Sequence, residues 1–156
     1  PQYFEGHCFG KVMAEATLFE KILSGVVPGN FVARGSNWGA FLDVFPRREG
    51  HTLVVPTRPA SRLADLTDEE LAGLMSGVKT TQKKLSAYFN TEDFTIIVHD
   101  GPLAGQEIPH VHIHVLPRQE GDNGKTLLAL WPDSPMPSGT PDFVALAELC
   151  ESIREE

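Results

Sequence analysis

Cysteine, positive charge and long apolar runs are all scarce in this chain of 156 residues, and each shortage closes off a class of protein. Only Cys8 and Cys150 are present, too few and too far apart for a disulfide framework, so a reduced, cytoplasmic setting is the expectation. Thirteen Lys and Arg stand against 21 Asp and Glu, a formal net charge of -8. Non-specific nucleic-acid binding needs basic side chains to neutralise phosphates, so nucleic acid is not an expected partner. No apolar run approaches the roughly 20 residues of a membrane span, so neither is a membrane. Residues 1–10 lack the basic start and apolar stretch of a secretory leader. The zinc-binding signatures Cys-x-x-Cys and His-Glu-x-x-His do not occur. None of this excludes a small anionic ligand held in a local pocket by backbone amides, helix N-termini or histidines.

What remains is ordinary globular composition, 41% hydrophobic and 22% charged, at a length that fits one domain with a real core. Residues 17–24 predict a short helix ended by Gly25. Residues 31–33, 40–45 and 51–55 predict strands, the last closed by Pro56. Thr67-Asp68-Glu69-Glu70 is a capping-box sequence, and Leu71, Leu74, Met75, Val78, Leu85 and Phe89 keep helical spacing as far as Asn90. Residues 94–99 predict a further strand from the alternation of Phe94, Ile96 and Val98. Pro132, Pro135, Pro137 and Pro141 mark an extended loop. A last helix is expected from Thr140 as cap with Pro141 at its first position, burying Phe143, Leu146, Ala147, Cys150 and Ile153. Strand groups separated by one long helix point to an α+β fold with an antiparallel sheet. The expected organisation is a single domain over 1–156, with its core at about 17–122 and a proline-rich extension with a terminal helix over 123–156.

The densest chemistry lies in His110-Val111-His112-Ile113-His114-Val115-Leu116, which holds three of the six histidines. On a strand, residues two apart share a face, so the imidazoles would form a row about 6.6 Å apart with an apolar back. Three uses compete. The rings could be merely satisfied polar groups, although burying three imidazoles without purpose is costly. They could be zinc ligands, with Asp100, Glu107 or His99 completing the set. Or one could be a nucleophile that attacks phosphorus through one nitrogen, its other N–H held by a carbonyl or carboxylate, while its neighbours donate to the phosphate. The Gly-Pro-Leu-Ala-Gly-Gln loop just before the row, residues 101–106, favours the third, because its glycines let backbone amides approach an anion and Gln106 adds an amide.

The row reads His-φ-His-φ-His-φ-φ, with φ apolar, and with its surroundings the chain resembles the histidine triad (HIT) family. The resemblance extends to Asp100-Gly101-Pro102, Ala104-Gly105-Gln106 and Leu116-Pro117-Arg118, and to Ala40-Phe41-Leu42-Asp43 followed by Gly50-His51-Thr52-Leu53-Val54-Val55-Pro56. It implies a five-stranded antiparallel sheet with two main helices, beside which the proline-rich loop and C-terminal helix are an addition, and a homodimer. It implies a nucleotide hydrolase that binds a purine nucleotide and cleaves at its α-phosphate. Adenosine phosphoramidates or dinucleoside polyphosphates would be the substrates and AMP the product.

By matching positions, His112 would be the nucleophile and form a nucleotidyl-histidine. His110 would orient it through its backbone carbonyl, and His114, His51 and Gln106 would contact phosphate beside Gly105 and His99. Asp43 would accept the ribose hydroxyls, with Phe19, Ile22, Leu42, Val44 and Leu53 as the wall around the base. No tightly bound cofactor is implied, although Mg2+ would accompany a polyphosphate. Many bacterial-type members carry a structural zinc on Cys-x-x-Cys near the first helix. Thr17, Glu20 and, further on, Pro59 occupy those ligand positions here, so zinc is not expected. Where many relatives have Asn or Gln, this chain has His99. Glu107 would oppose a second phosphate group and Arg118 would favour one. A nucleotidyl transferase, or a nucleotide-binding interaction protein with little catalysis, are the alternatives.

Overall fold

The computed structural model describes residues 15–124, 140 and 142–154. The chain divides into two compact units, residues 1–121 and 122–156. In the first, α1 (Leu18–Ser24) is followed by β1 (Phe31–Arg34), β2 (Trp38–Leu42), β3 (Thr52–Pro56), α2 (Asp68–Phe89), β4 (Phe94–Val98) and β5 (Ile113–Pro117). The five strands form one antiparallel sheet in the order β1-β2-β3-β5-β4. This is the α+β architecture expected from the sequence.

Both helices of this unit begin with a capping box, Thr17 with Glu20 and Thr67 with Glu70, so each threonine hydroxyl accepts an amide the helix cannot use. They end on left-handed residues, Gly25 and Asn90. Strand alternation then sorts the sheet into two faces. Ala40, Val54, Ile113 and Val115 join Leu74, Val78 and Leu85 of α2 in one buried cluster, while Phe41, Leu53 and Val55 join Phe19 and Ile22 of α1 in another. The long helix and the short one therefore cover opposite faces. Gly77 lets α2 lie directly on Trp38, since a Cβ there would come within 2.6 Å of the indole.

Four local expectations need correction. The second strand spans Trp38–Leu42, not residues 40–45. Asp43 ends it by accepting the Phe45 amide on its own side chain, an Asx turn that bends the chain before Pro46. Met75 keeps helical spacing but is exposed, whereas Gly77, beneath Trp38, and Thr81 are buried. The histidine strand begins only at Ile113. Before it, the Val111 amide donates to the Ala60 carbonyl in the loop beyond β3, so His110 and His112 sit ahead of the ladder.

The fourth concerns α3 (Phe143–Arg154) in the second unit, which is capped by the Asp142 side chain accepting the Ala145 amide, not by Thr140. Phe143 and Ala147 are exposed; apolar periodicity tells what a helix could bury, not whether it does. Pro132, Pro135, Pro137 and Pro141, Cys8, and the side chains of Leu146, Cys150 and Ile153 lie outside the described residues. No described helix is long and apolar enough to cross a membrane.

Candidate active site

On the α1 face, β2, β3, β4, β5 and the loops between them enclose a cavity of about 460 Å³. Its apolar half contains Phe19, Ile22, Leu42, Val44 and Leu53, all five residues expected around a base. Its polar half contains Asp43, His51, His99, Gly105, His112 and His114. Of the expected site residues, only His110 and Gln106 do not line it.

Alternation continues through the histidine row although its first part lies outside the ladder. Val111, Ile113 and Val115 are buried toward α2, and His112 and His114 stand on the other side with ring centroids 5.1 Å apart. His110 is wholly buried beneath them. Both of its nitrogens are occupied: Nε2–H donates to the Pro56 carbonyl at 2.8 Å, and Nδ1 accepts the Thr17 hydroxyl at 2.7 Å. A carbonyl can only accept, so the tautomer is fixed. The same Thr17 oxygen accepts the Glu20 amide, which welds the cap of α1 to the triad.

The remaining tautomers follow from the same logic. His112 Nδ1–H donates to the His110 carbonyl at 2.7 Å, leaving a lone pair on Nε2. His51 Nδ1 accepts the Arg47 amide at 3.1 Å, so its proton is on Nε2, which donates to His114 Nδ1 at 2.9 Å. His114 therefore carries its proton on Nε2, a buried atom with no partner. An unpaired buried donor is costly, and one at the wall of a cavity is a natural receptor for an anionic oxygen. His51 thus stands one ring behind, oriented also by Asp43, whose Oδ2 lies 3.6 Å from Nε2. His51 lines the cavity, but in this arrangement its only proton is given to His114.

Burial holds all these rings neutral. It lowers His110, His112 and His51 below the ordinary imidazole value, and burial together with the neighbouring His112, His51 and His99 pushes His114 down to about 4. Asp43 and, for His112, Glu107 act in the opposite direction.

Gln106 is engaged elsewhere. Its Oε1 accepts the Gly101 amide and its Nε2 donates to the Ser61 carbonyl, each at 2.8 Å, so the side chain braces the glycine loop and is not turned to the cavity. Gly105, at φ 99°, turns that loop against His99. Arg118 donates to Thr95 and does not line the cavity; the lining cation among the described residues is Arg47. Arg47 was missed because its position depends on the turn after Asp43, which no periodicity signals. Ile97 was missed for a different reason, since its inward facing follows from pairing with His114 across the sheet.

Two metal possibilities can be tested on this geometry. Asp43, His51 and His114 bring their ligand atoms within 4.8 Å of one another. A metal would need the lone pair of His51 Nε2, which carries the proton while the Arg47 amide holds Nδ1. The donor set does not fit an ion as it stands. Thr17 and Glu20, which the resemblance set at a structural zinc position, cap α1 through each other, so these residues do not fit zinc either.

A family model described as HIT domain matches residues 24–121. An adenosine 5'-monophosphoramidase of Schizosaccharomyces pombe is 32% identical over 119 residues, 76% of this chain and 85% of that protein. A bis(5'-nucleosyl)-tetraphosphatase (asymmetrical) of the same organism is 41% identical over 83 residues, 53% of this chain but only 46% of that protein. In structure, a HIT family member from Bacillus subtilis matches with a TM-score of 0.76 at 27% identity, covering 91% of this chain and 97% of that one.

Proposed function

The chain belongs to the HIT domain family, and on that premise we propose that it hydrolyses nucleotides at the α-phosphate through a covalent nucleotidyl-His112. The observation that carries the reading is the His112 ring, a cavity-lining neutral imidazole with Nδ1–H locked on the His110 carbonyl and a lone pair on Nε2. Nε2 attacks phosphorus and the bond to the leaving group breaks, an amine departing with a proton from solvent or a polyphosphate as its anion; the nucleotidyl group stays on the ring until water releases it as AMP. His114 Nε2–H donates to a non-bridging phosphate oxygen, backed by His51 and Asp43, and opposes the charge that grows in the transition state.

The substrate class is an adenosine phosphoramidate or a dinucleoside polyphosphate, the two classes in the names of the relatives. Phe19, Ile22, Leu42, Val44 and Leu53 would hold the base, and Asp43 Oδ2 the ribose hydroxyls. Mg2+ would enter only with a polyphosphate. The working form is taken as a homodimer in the cytoplasm; exposed Met75, Tyr88 and Ile96 supply apolar surface for a second copy.

The test is turnover of a fluorogenic adenosine 5'-phosphoramidate and of diadenosine triphosphate, beside His112→Asn. At least one substrate should be hydrolysed, and the variant should lose about 10³-fold or more in kcat/KM, as expected when a nucleophile is removed. Equal turnover by the variant would end the mechanism. AMP binding without any wild-type turnover would favour the binding-protein alternative.

A further inference from the structure

The proton inventory of the cavity leaves one imidazole unexplained. His112 presents a lone pair and is the nucleophile. His114 presents a proton, and the proton of His51 is engaged behind it. Once His112 carries the nucleotide, none of these three can accept a proton from the water that must release it. Asp43 has one oxygen on the Phe45 amide and the other beside His51.

Among the cavity imidazoles His99 is the exception. Its Nδ1–H donates to the Ala104 carbonyl at 2.7 Å, which leaves the lone pair on Nε2. The ring lines the cavity, stands edge-on to His114 at 5.2 Å between centroids, and lies close enough to His112 to disfavour a charge there. The glycine loop holds it in place, with Gly105 packed on the ring where a Cβ would fall 3.4 Å from Nδ1. It is half-buried, so it keeps a route to solvent.

We propose that His99 is the general base of the hydrolytic half-reaction. The inference rests on the nucleotidyl-His112 reading. Water oxygen bonds to phosphorus as His99 Nε2 takes one of its protons. The phosphorus–nitrogen bond breaks and its electron pair returns to His112 Nε2. AMP then leaves, and His99 passes the proton to solvent. The facing groups are the imidazoles of His112 and His114 and the carboxylate of Glu107, also in the cavity wall.

A base used only in the second half-reaction makes a kinetic prediction that a general loss of structure does not. With the fluorogenic phosphoramidate, His99→Asn and His99→Gln should release one equivalent of amine in a burst near the wild-type rate. Steady turnover should then slow about 100-fold, the low end for loss of a positioned base. Alkaline quenching should trap nucleotidylated protein in the variants and little in the wild type. Free imidazole should partly restore the steady rate of His99→Gly. Unchanged steady turnover, or burst and steady phases falling together, would overturn the proposal while leaving His112 as nucleophile. Turnover with no nucleotidyl-protein trapped in the wild type or in either variant would instead remove the covalent reading and this inference with it.

Discussion

The two faces of the sheet are built from the same strands and do opposite work. Toward α2 lie Ala40, Val54, Val111, Ile113 and Val115, buried and apolar, with Leu74, Val78 and Leu85 packed on them. Its single unpartnered buried side-chain atom among the described residues is the Thr81 hydroxyl. Toward α1, one residue before Val111, Ile113 and Val115, lie His110, His112 and His114, and each ring nitrogen has a partner except His112 Nε2 and His114 Nε2. Packing on the first face tolerates many sequences of similar volume. The second is a chain of fixed tautomers, in which one missing partner changes what the next ring can do. Stability and reactivity are thus separated by the strand's two-residue period.

Three measurements would break or sharpen that division. Leu74→Ala, a cavity on the dry face, should cost about 2–5 kcal/mol in urea unfolding. It should leave KM and the pH profile unchanged where the protein stays folded; a changed profile would mean the faces are not independent. Thr17→Val, on the other face, removes both the α1 cap and the His110 partner, and should cost about 2 kcal/mol. It should also lower kcat, while Thr17→Ser restores both. A stability loss without a kinetic one would reduce Thr17 to a helix cap.

The smallest effect is that of pH. The buried imidazoles stay neutral in the folded protein, His114 down to about 4, whereas in the unfolded chain they take up protons below about 6.5. The unfolded state then binds more protons, so stability should fall as pH drops from about 6.5 towards 4 and this contribution should level off below. His114→Asn should flatten that slope all the way down to about pH 4 in melting experiments. A slope unaffected by the variant would assign acid sensitivity to other groups.

Much of this was legible because it is local. The His-x-His-x-His spacing, the Thr67–Glu70 capping box and the loop glycines are each decided within a few residues, and the resemblance they carry extended them to a five-stranded sheet and to residues that share one cavity. What escaped depends on distant partners. Thr17 meets His110 across 93 positions, and Gln106 turns to Ser61 across 45. Nothing near either residue says which partner it will find. The order of His51 behind His114 is subtler still, for it is set by one amide, that of Arg47, choosing which nitrogen keeps the hydrogen.

Thr17 has one more consequence. A helix of seven residues is too short to persist alone in water, so α1 is held by its docking. Those supports are the threonine on His110, Phe19 against His110 and His112, and Arg34 donating to the Leu23 carbonyl. The helix is therefore a cooperative unit with the imidazoles beneath it, and fraying of its first turn and loss of the His110 tautomer are one event. On the proposed mechanism, the wall of the pocket would report on the readiness of His112: a chain with the door ajar would also be one that cannot react.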